Sequence, residues 1–231
     1  MCLLLVAALW FVTRGDGAEE FVTDFGQTRE ITLPDGTVVT LNANSRLRVP
    51  ELDWTRDDRT VWLQGEAFFS VRKGARVGQR FTVETEGEEA SIEVLGTEFN
   101  VSTRFTRTDV VLREGSVLLR AGADTVRMAP GEQVVYEEAA GTLRRTRVEP
   151  EVELAWMRGV MRFDSEPLGE VLRELEALTG VRIVLEREDL RDEVLSLTVD
   201  TTSVDEFFDI LQSIEGDRLT VERRDGGYII R

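Results

Sequence analysis

Short runs in which apolar and polar side chains alternate are the feature that most limits the folds open to this chain. These runs fill residues 21–150. In TVWLQGEAFFSV, nearly every second residue from Val61 to Val71 is apolar. A strand sends successive side chains to opposite faces, so this period of two predicts strands with one buried face. Trp62 and Phe68 break the alternation, because each is apolar where a polar side chain is expected.

Turn residues separate these runs at short intervals. Pro34-Asp35-Gly36 lies between ITL and TVVTL, where proline presets one backbone angle and glycine accepts a positive one. Similar runs recur at RFTVET, SIEVLGTEFNVS, DVVLREGSVLLR and APGEQVVYE, and none between residues 21 and 150 has a helical stripe. We therefore predict an all-β domain, either a sandwich or an irregular β-solenoid.

A different pattern follows Pro150, where one unit occurs twice with an offset of 36 residues. FDSEPLGEVLRELEALTGVRIVLE starts at Phe163, and VDTTSVDEFFDILQSIEGDRLTVE starts at Val199. Each copy places an amphipathic helical stripe between two strand-like runs. We expect a small α+β domain with duplicated βαβ units, in the order βαβ–βαββ, whose final hairpin turns at Asp225-Gly226.

Capping signals mark the ends of both predicted helices. Ser165 is the expected N-cap of the first helix, and Gly180 supplies the left-handed residue that ends it. In the second helix, Ser203 and Glu206 form a capping box, and Gly216 ends the helical pattern.

An uninterrupted apolar run, CLLLVAALWFV, occupies residues 2–12. Eleven residues are too few for a spanning helix, which takes about 20. The run also lacks the basic start and the nearby cleavage site of a signal peptide. We interpret residues 1–20 as a truncated transmembrane anchor with its linker, followed by domains at 21–150 and 151–231. A buried helix of a soluble domain is the alternative.

The residue inventory excludes much common chemistry. The chain has no histidine and one cysteine, Cys2, which excludes His-based triads, His/Cys zinc sites and thiol redox pairs. Ser70 and Lys73 match S-x-x-K, but an alternating strand sends them to opposite faces. A net charge of −16 disfavours a nucleic-acid partner. We expect no catalytic residue, cofactor or metal, although a cleft with two facing carboxylates would favour a hydrolase.

The second copy of the duplicated unit contains the partner-binding candidates. Ile210 occupies the position of Glu174 in the first copy and widens the apolar stripe of its helix. The closing run Tyr228-Ile229-Ile230 is expected at a sheet edge, where unpaired backbone groups accept another strand. The candidate set is Phe207, Ile210, Tyr228, Ile229 and Ile230. The alternative is that these side chains complete the core of their own domain.

Several segments resemble the FecR family when taken in order. They are LPDGTVVTLNANSRLRVP, VWLQGEAFFSV, FTVETEGEEASIEVLGTEFNVS, VVLREGSV and APGEQVVYEEAAGTL. WMRGVMRFDSEPLGEVLRELEALTGVRIVLE is similar to the segment that follows this domain in the family. The duplicated region resembles the short N-terminal domain of secretins and TonB-dependent transducers, and the whole resemblance covers residues 26–231.

The resemblance implies a single-span inner-membrane anti-sigma regulator whose folded domains lie in the periplasm. It implies a cytoplasmic segment, absent from this sequence, that binds an extracytoplasmic-function sigma factor. It also implies that the periplasmic part receives a signal from the periplasmic domain of an outer-membrane TonB-dependent receptor. The residues themselves leave a second function open: a periplasmic envelope or glycan-binding β protein with no link to a sigma factor.

Overall fold

The computed structural model describes residues 18–231 except 52, 86–89, 201–203 and 225. Strands dominate up to Arg147, and a smaller α+β region follows, so the predicted fold class is confirmed. The predicted apolar anchor lies outside the described residues. Within them, no helix is long and apolar enough to cross a membrane.

Two seven-stranded sheets form the first part of the described chain. Their strands are β1 (Glu19–Thr23), β2 (Arg29–Thr32), β3 (Val38–Leu41), β4 (Ser45–Val49), β5 (Arg59–Gln64), β6 (Glu66–Ser70), β7 (Phe81–Thr85), β8 (Ala90–Val94), β9 (Glu98–Ser102), β10 (Arg107–Glu114), β11 (Val117–Ala121), β12 (Asp124–Met128), β13 (Glu132–Glu137) and β14 (Thr142–Arg147). The first sheet has the order β1-β4-β5-β7-β8-β11-β12, and the second has the order β14-β13-β10-β9-β6-β3-β2. Neighbouring strands are antiparallel except β5 and β7.

The inner faces of the two sheets enclose one hydrophobic core, so the β part is a sandwich rather than a solenoid. Phe69, Phe81 and Phe99 are fully buried in it, and the rings of Phe69 and Phe99 stack at 5.2 Å between centroids. Each buried side chain of this size stabilises the fold by about 1.5–3 kcal/mol, which explains why apolar residues recur at nearly every second position.

The two exceptions to the alternation have different physical reasons. Phe68 points to the outside of the second sheet, where it is 5% exposed and packs with Leu154 and Trp156. Trp62 lies under the guanidinium of Arg48, 4.1 Å from its ring centroid. The irregularity at Phe68 therefore marks a second buried face, against which the C-terminal region docks.

The C-terminal region has the predicted order of strands and helices. Its elements are α1 (Pro150–Glu153), β15 (Val160–Pro167), α2 (Leu168–Thr179), β16 (Ile183–Leu185), β17 (Val194–Asp200), α3 (Val204–Glu215), β18 (Val221–Arg224) and β19 (Gly227–Ile230), with 3-10 turns at Ala155–Arg158, Glu188–Leu190 and Gly216–Arg218. β15 pairs with β17, and a second sheet has the order β16-β19-β18. Side chains from both duplicated units form one further core.

One predicted helix end is wrong and another is confirmed. Ser165 does not cap α2, because β15 continues to Pro167, which occupies the N-cap position without a capping side chain. Ser165 instead lies where the register of β15 shifts, with φ at 59°, and its N–H donates to Ser196 Oγ. Gly180 ends α2 with φ at 69°, as predicted. The predicted cap Ser203 lies outside the described residues.

Candidate functional site

A cleft of about 430 Å³ lies between the outer face of the second sheet and the C-terminal region. β10, β13 and β14 contribute one wall, and β15 and α2 contribute the other. Charged side chains dominate its lining: Glu66, Arg107, Asp109, Arg144, Glu153, Arg162, Asp164, Glu166, Glu170 and Glu174.

Hydrogen bonds position the end of α2 against the sandwich beside this cleft. The N–H of Gly26 donates to the carbonyl of Leu178 at 2.8 Å, and Asn44 Nδ2 donates to the carbonyl of Ala177 at 3.0 Å. These bonds satisfy carbonyls of the last helical turn, which have no partner within the helix itself. Together with the contact between Phe68 and Trp156, they set the width of the cleft.

Glu66 is held at the side of the cleft by two amides of the second sheet. Its carboxylate accepts from Asn42 Nδ2 at 2.7 Å and from Asn100 Nδ2 at 2.9 Å. Asn42 and Asn100 are each 5% exposed. Because two donors fix its orientation, Glu66 is a rigid negative charge beside the other carboxyl groups of the cleft.

Asp109 projects into the cleft from β10. Gln133 Nε2 donates to both of its oxygens, at 2.8 and 3.1 Å. The pKa of Asp109 is raised to about 7, chiefly by burial and also by nearby Glu153 and Glu66, against the lowering effects of Arg107 and Gln133. Asp109 therefore changes its charge close to neutral pH.

Glu174 lies on α2, across the cleft from the wall that contains Asp109. Burial raises the pKa of Glu174 to about 7, with Glu66 adding to the rise and Arg104 opposing it. The closest approach of Arg104 Nε to Glu174 Oε1 is 3.9 Å, which is long for a hydrogen bond. The pKa of Glu153 is also raised, first by desolvation and then by Glu166.

The carboxyl groups of Asp109 and Glu174 can bind protons near neutral pH and so become uncharged. No group of three or more His, Cys, Asp or Glu side chains among residues with described positions is arranged to hold a metal ion. Ser70 of the S-x-x-K tetrad donates to Glu98 Oε1 at 3.3 Å. The raised pKa values of Asp109 and Glu174 are a property that catalytic carboxyl pairs share with buried structural ones.

Three of the five predicted partner-binding residues lie in the core of the C-terminal region. Phe207 and Ile230 have no exposed surface, and Tyr228 is 7% exposed. The ring of Tyr228 stacks on Phe208 at 4.0 Å, and its hydroxyl donates to Asp205. Ile210 and Ile229 remain partly exposed. Only these two candidates keep surface for a partner.

The expectation that the terminal run lies at a sheet edge is wrong. β19 is the central strand of its sheet, parallel to β16 on one side and antiparallel to β18 on the other. Parallel pairing with β16 joins the two duplicated units, and it occupies the backbone groups that an edge strand would expose. Strand addition at residues 228–230 is therefore blocked by the fold.

The sequence analysis missed the carboxyl groups of the cleft. Asp109 looks like an ordinary polar residue of an alternating strand, and Glu174 looks like the solvated side of an amphipathic helix. One signal was present: Val111 and Val135 share the outer face of the sheet with Asp109, and both are 3% exposed. Apolar side chains on both faces of a strand indicate that both faces are covered.

Two solved structures have the same architecture of sandwich and docked α+β region. Both belong to a protein of Parabacteroides distasonis ATCC 8503 that is provisionally assigned as an anti-sigma factor. Each is 28% identical to this chain and covers 92% of it, and the chain covers 98% of each, with TM-scores of 0.81 and 0.82. Among curated protein sequences, none matches this chain. The similarity points to a class of regulatory protein rather than to an enzyme.

Two family models match successive parts of the sequence. The model of the FecR protein matches residues 19–118, and the model of the FecR C-terminal region matches residues 160–230. The two ranges span most of the sandwich and nearly all of the α+β region. The chain belongs to the FecR family.

Proposed function

We propose that this chain is the periplasmic, signal-receiving part of an inner-membrane anti-sigma regulator. It relays the state of an outer-membrane TonB-dependent receptor to an extracytoplasmic-function sigma factor. A cytoplasmic segment outside this sequence binds that sigma factor. Membership of the FecR family and similarity to a provisionally assigned anti-sigma factor support the regulatory role. The predicted anchor in residues 1–20 supports the inner membrane as its location.

A difference between the two duplicated helices carries this proposal. On α2, Glu174 and Leu178 face the β-sandwich, and Leu178 is 6% exposed. The equivalent positions on α3, offset by 36 residues, are Ile210 and Ile214. Ile214 is 56% exposed, although it is a large apolar side chain. One copy of this helix face is thus covered by the chain itself, and the other copy presents apolar surface.

The face of α3 that contains Ile210 and Ile214 is therefore the proposed contact for the receptor. Residues four apart lie next to each other on a helix, so the two isoleucines form one apolar strip. Phe207 and Leu211 lie directly beside this strip on α3, in the core, and have no exposed surface. A partner domain can bind the strip as the sandwich binds α2, without any change in the core.

Substitution of Ile214 by glutamate tests the proposed contact. We expect Ile214→Glu to weaken binding of the receptor's periplasmic domain by about 1–2 kcal/mol, the scale of a central interface contact, with little change in Tm. Isothermal titration calorimetry with the full chain measures the affinity. Val77→Glu is the matched control, because Val77 is fully exposed on the sandwich.

Ile210→Glu extends the test, since glutamate already occupies the equivalent position of α2. Because Ile210 packs partly against the core, we expect a moderate loss of stability together with weaker binding. Unchanged affinity in both α3 variants would exclude this face as the receptor contact.

The cleft favours one other function, that of a periplasmic glycan-binding protein with no link to a sigma factor. Carboxyl and guanidinium groups line this cavity, among them Asp109, Glu174 and Arg144, and such groups can accept hydrogen bonds from sugar hydroxyls and donate to them. On this hypothesis, Asp109→Asn weakens binding of cell-envelope oligosaccharides and Ile214→Glu leaves it unchanged. Receptor binding that depends on Ile214 and not on Asp109 supports the regulator instead.

A further inference from the structure

β14 is a free edge of the second sheet within the part of the chain that the structure describes. It follows β13 in the strand order and has no neighbour on its other side. The bond from Val148 N–H to Gly131 O continues the ladder between β14 and β13. Since bonded pairs alternate in an antiparallel ladder, Leu143, Arg145 and Arg147 direct their backbone groups away from β13.

The charge of β14 opposes that of the whole chain. Its sequence, TLRRTR, has three arginines and no acidic residue, whereas the chain has a net charge of −16. Arg145 forms an ion pair with Glu132, which neutralises one of the three positive charges. Arg144 and Arg147 are exposed and form no ion pair within 4 Å among the described residues, and the charge of Arg147 helps to lower the pKa of Glu132, its cross-strand neighbour. Positive charge therefore lies on both faces of an edge strand with unpaired backbone groups, with Arg144 on the cleft side and Arg147 on the other.

The other edge strands of the described sheets lack this combination. β1 has two glutamates, β2 and β12 each combine one acidic and one basic residue, and β18 includes Glu222. β15 and β17 contain acidic residues, and β16 has no charged residue. β14 is also longer than the other edge strands of the sandwich, at six residues. Charge on an edge prevents pairing with a like strand, so two copies of β14 repel each other.

We infer that the β14 edge is a docking site for an acidic, extended polypeptide segment of a partner protein. The segment adds as an eighth strand to the second sheet, and its main chain bonds the outward groups of Leu143, Arg145 and Arg147. Its acidic side chains pair with Arg144 and Arg147, which supply the selectivity that main-chain bonds lack. Arg144 also lines the cleft, but β14 lies apart from Ile210 and Ile214, so the inference does not rest on the function proposed above.

A synthetic peptide with alternating glutamate and threonine, nine residues long and blocked at both ends, serves as the probe. We expect it to bind the full chain in low salt and to shift the backbone amide resonances of residues 143–147. In the double variant Arg144→Glu/Arg147→Glu, the affinity should fall on the order of tenfold or more. Arg127→Glu is the control, because Arg127 is an exposed arginine on β12, the edge of the opposite sheet.

Backbone methylation separates strand addition from attraction between charges alone. Methylating the peptide nitrogens on one alternate set of residues removes the donors that face β14, and methylating the other set leaves them in place. The inference requires that one methylated peptide loses binding and the other retains it. Equal affinity of both peptides, equal loss in the β14 and Arg127 variants, or no binding by the unmodified peptide overturns the inference.

Discussion

At the scale of single residues, the sandwich depends on a fully buried charge. Arg59 has no exposed surface, and its guanidinium bonds Asp35 of the Pro34-Asp35-Gly36 turn and the carbonyl of Arg72 at 2.8 Å. A buried charge is stable only while its partners remain, because neither water nor another group replaces them. The pair therefore fixes the turn to the start of β5.

We predict that Arg59→Leu lowers the free energy of unfolding by about 3–5 kcal/mol, because Asp35 is left as a buried charge without its partner. Urea denaturation measures the change. Arg56→Leu is the control, since Arg56 is a largely exposed arginine paired with Asp53, and such pairs contribute about 0–1 kcal/mol. A loss below about 1 kcal/mol in the Arg59 variant would contradict this account.

The carboxyl groups of the cleft predict a dependence of stability on pH. The pKa values of Asp109 and Glu174 rise from ordinary values of 3.8 and 4.5 to about 7 in the folded chain. Between about pH 4 and pH 7, the folded state binds more protons than the unfolded state. The free energy of unfolding therefore falls as pH rises toward 7. Above pH 7 both states are ionised and this contribution stays constant.

Neutral substitutions should remove that dependence. We expect Asp109→Asn and Glu174→Gln to flatten the decline between about pH 4 and pH 7 and to raise Tm at pH 8, where the native carboxylates are charged. Thermal unfolding at a series of pH values checks both effects. A slope that is the same in the native chain and the double variant would show that other groups titrate.

At the scale of elements, the duplicated helices end at glycines with similar backbone angles and different surroundings. Gly180 ends α2 with φ at +69°, and a Cβ built there lies 2.7 Å from Phe25 Cδ2. Gly216 follows α3 with φ at +57°, and a Cβ there meets nothing within 4 Å. The first glycine is needed for backbone conformation and for close packing on the sandwich, and the second for conformation alone.

We therefore predict that Gly180→Ala destabilises the chain more than Gly216→Ala. The left-handed conformation should cost about 1 kcal/mol in either variant, and contact with Phe25 adds to it only at Gly180. Chemical denaturation of both variants measures the difference. If Phe25→Ala is combined with Gly180→Ala, the extra loss from the clash should disappear, and a persistent excess would place its cause elsewhere.

At the scale of the whole molecule, the chain between sandwich and α+β region is structured rather than a free linker. Leu154 and Trp156 pack on Phe68 of β6, and they are 3% and 7% exposed. We propose that residues 21–150 and 151–231 are nevertheless separate domains, each with its own core. The contact of Trp156 with Phe68 then holds the two domains together.

We expect Trp156→Ala to expose this junction. A large-to-small change at a buried tryptophan costs about 3–5 kcal/mol, and here the loss falls on the contact between two cores rather than within one. Limited proteolysis should then cut first within residues 144–153, earlier than in the native chain. First cuts inside residues 163–186 would contradict the proposed division.

Local pattern by itself determined which segments of this chain are strands and which are helices. A period of two and a period of about four are properties of neighbouring residues, so they identified most strands of the sandwich, α2, α3 and the order βαβ–βαββ. They did not identify β1, β12, β14 or the short helix α1. The same local chemistry determined the end of α2 at Gly180. Phe68, an apolar residue on the otherwise polar side of its strand, is a local sign of the second covered face.

Only the tertiary structure decided which segments meet. β19 is the centre of its sheet because β16, which belongs to the other duplicated unit, pairs with it in parallel, and no local pattern specifies that partner. Asp109 and Glu174 line the same cleft only because α2 docks on the second sheet, which desolvates both carboxyl groups and raises their pKa values. Strand and helix formation depends on contacts along the chain, whereas burial and charge proximity depend on contacts across it.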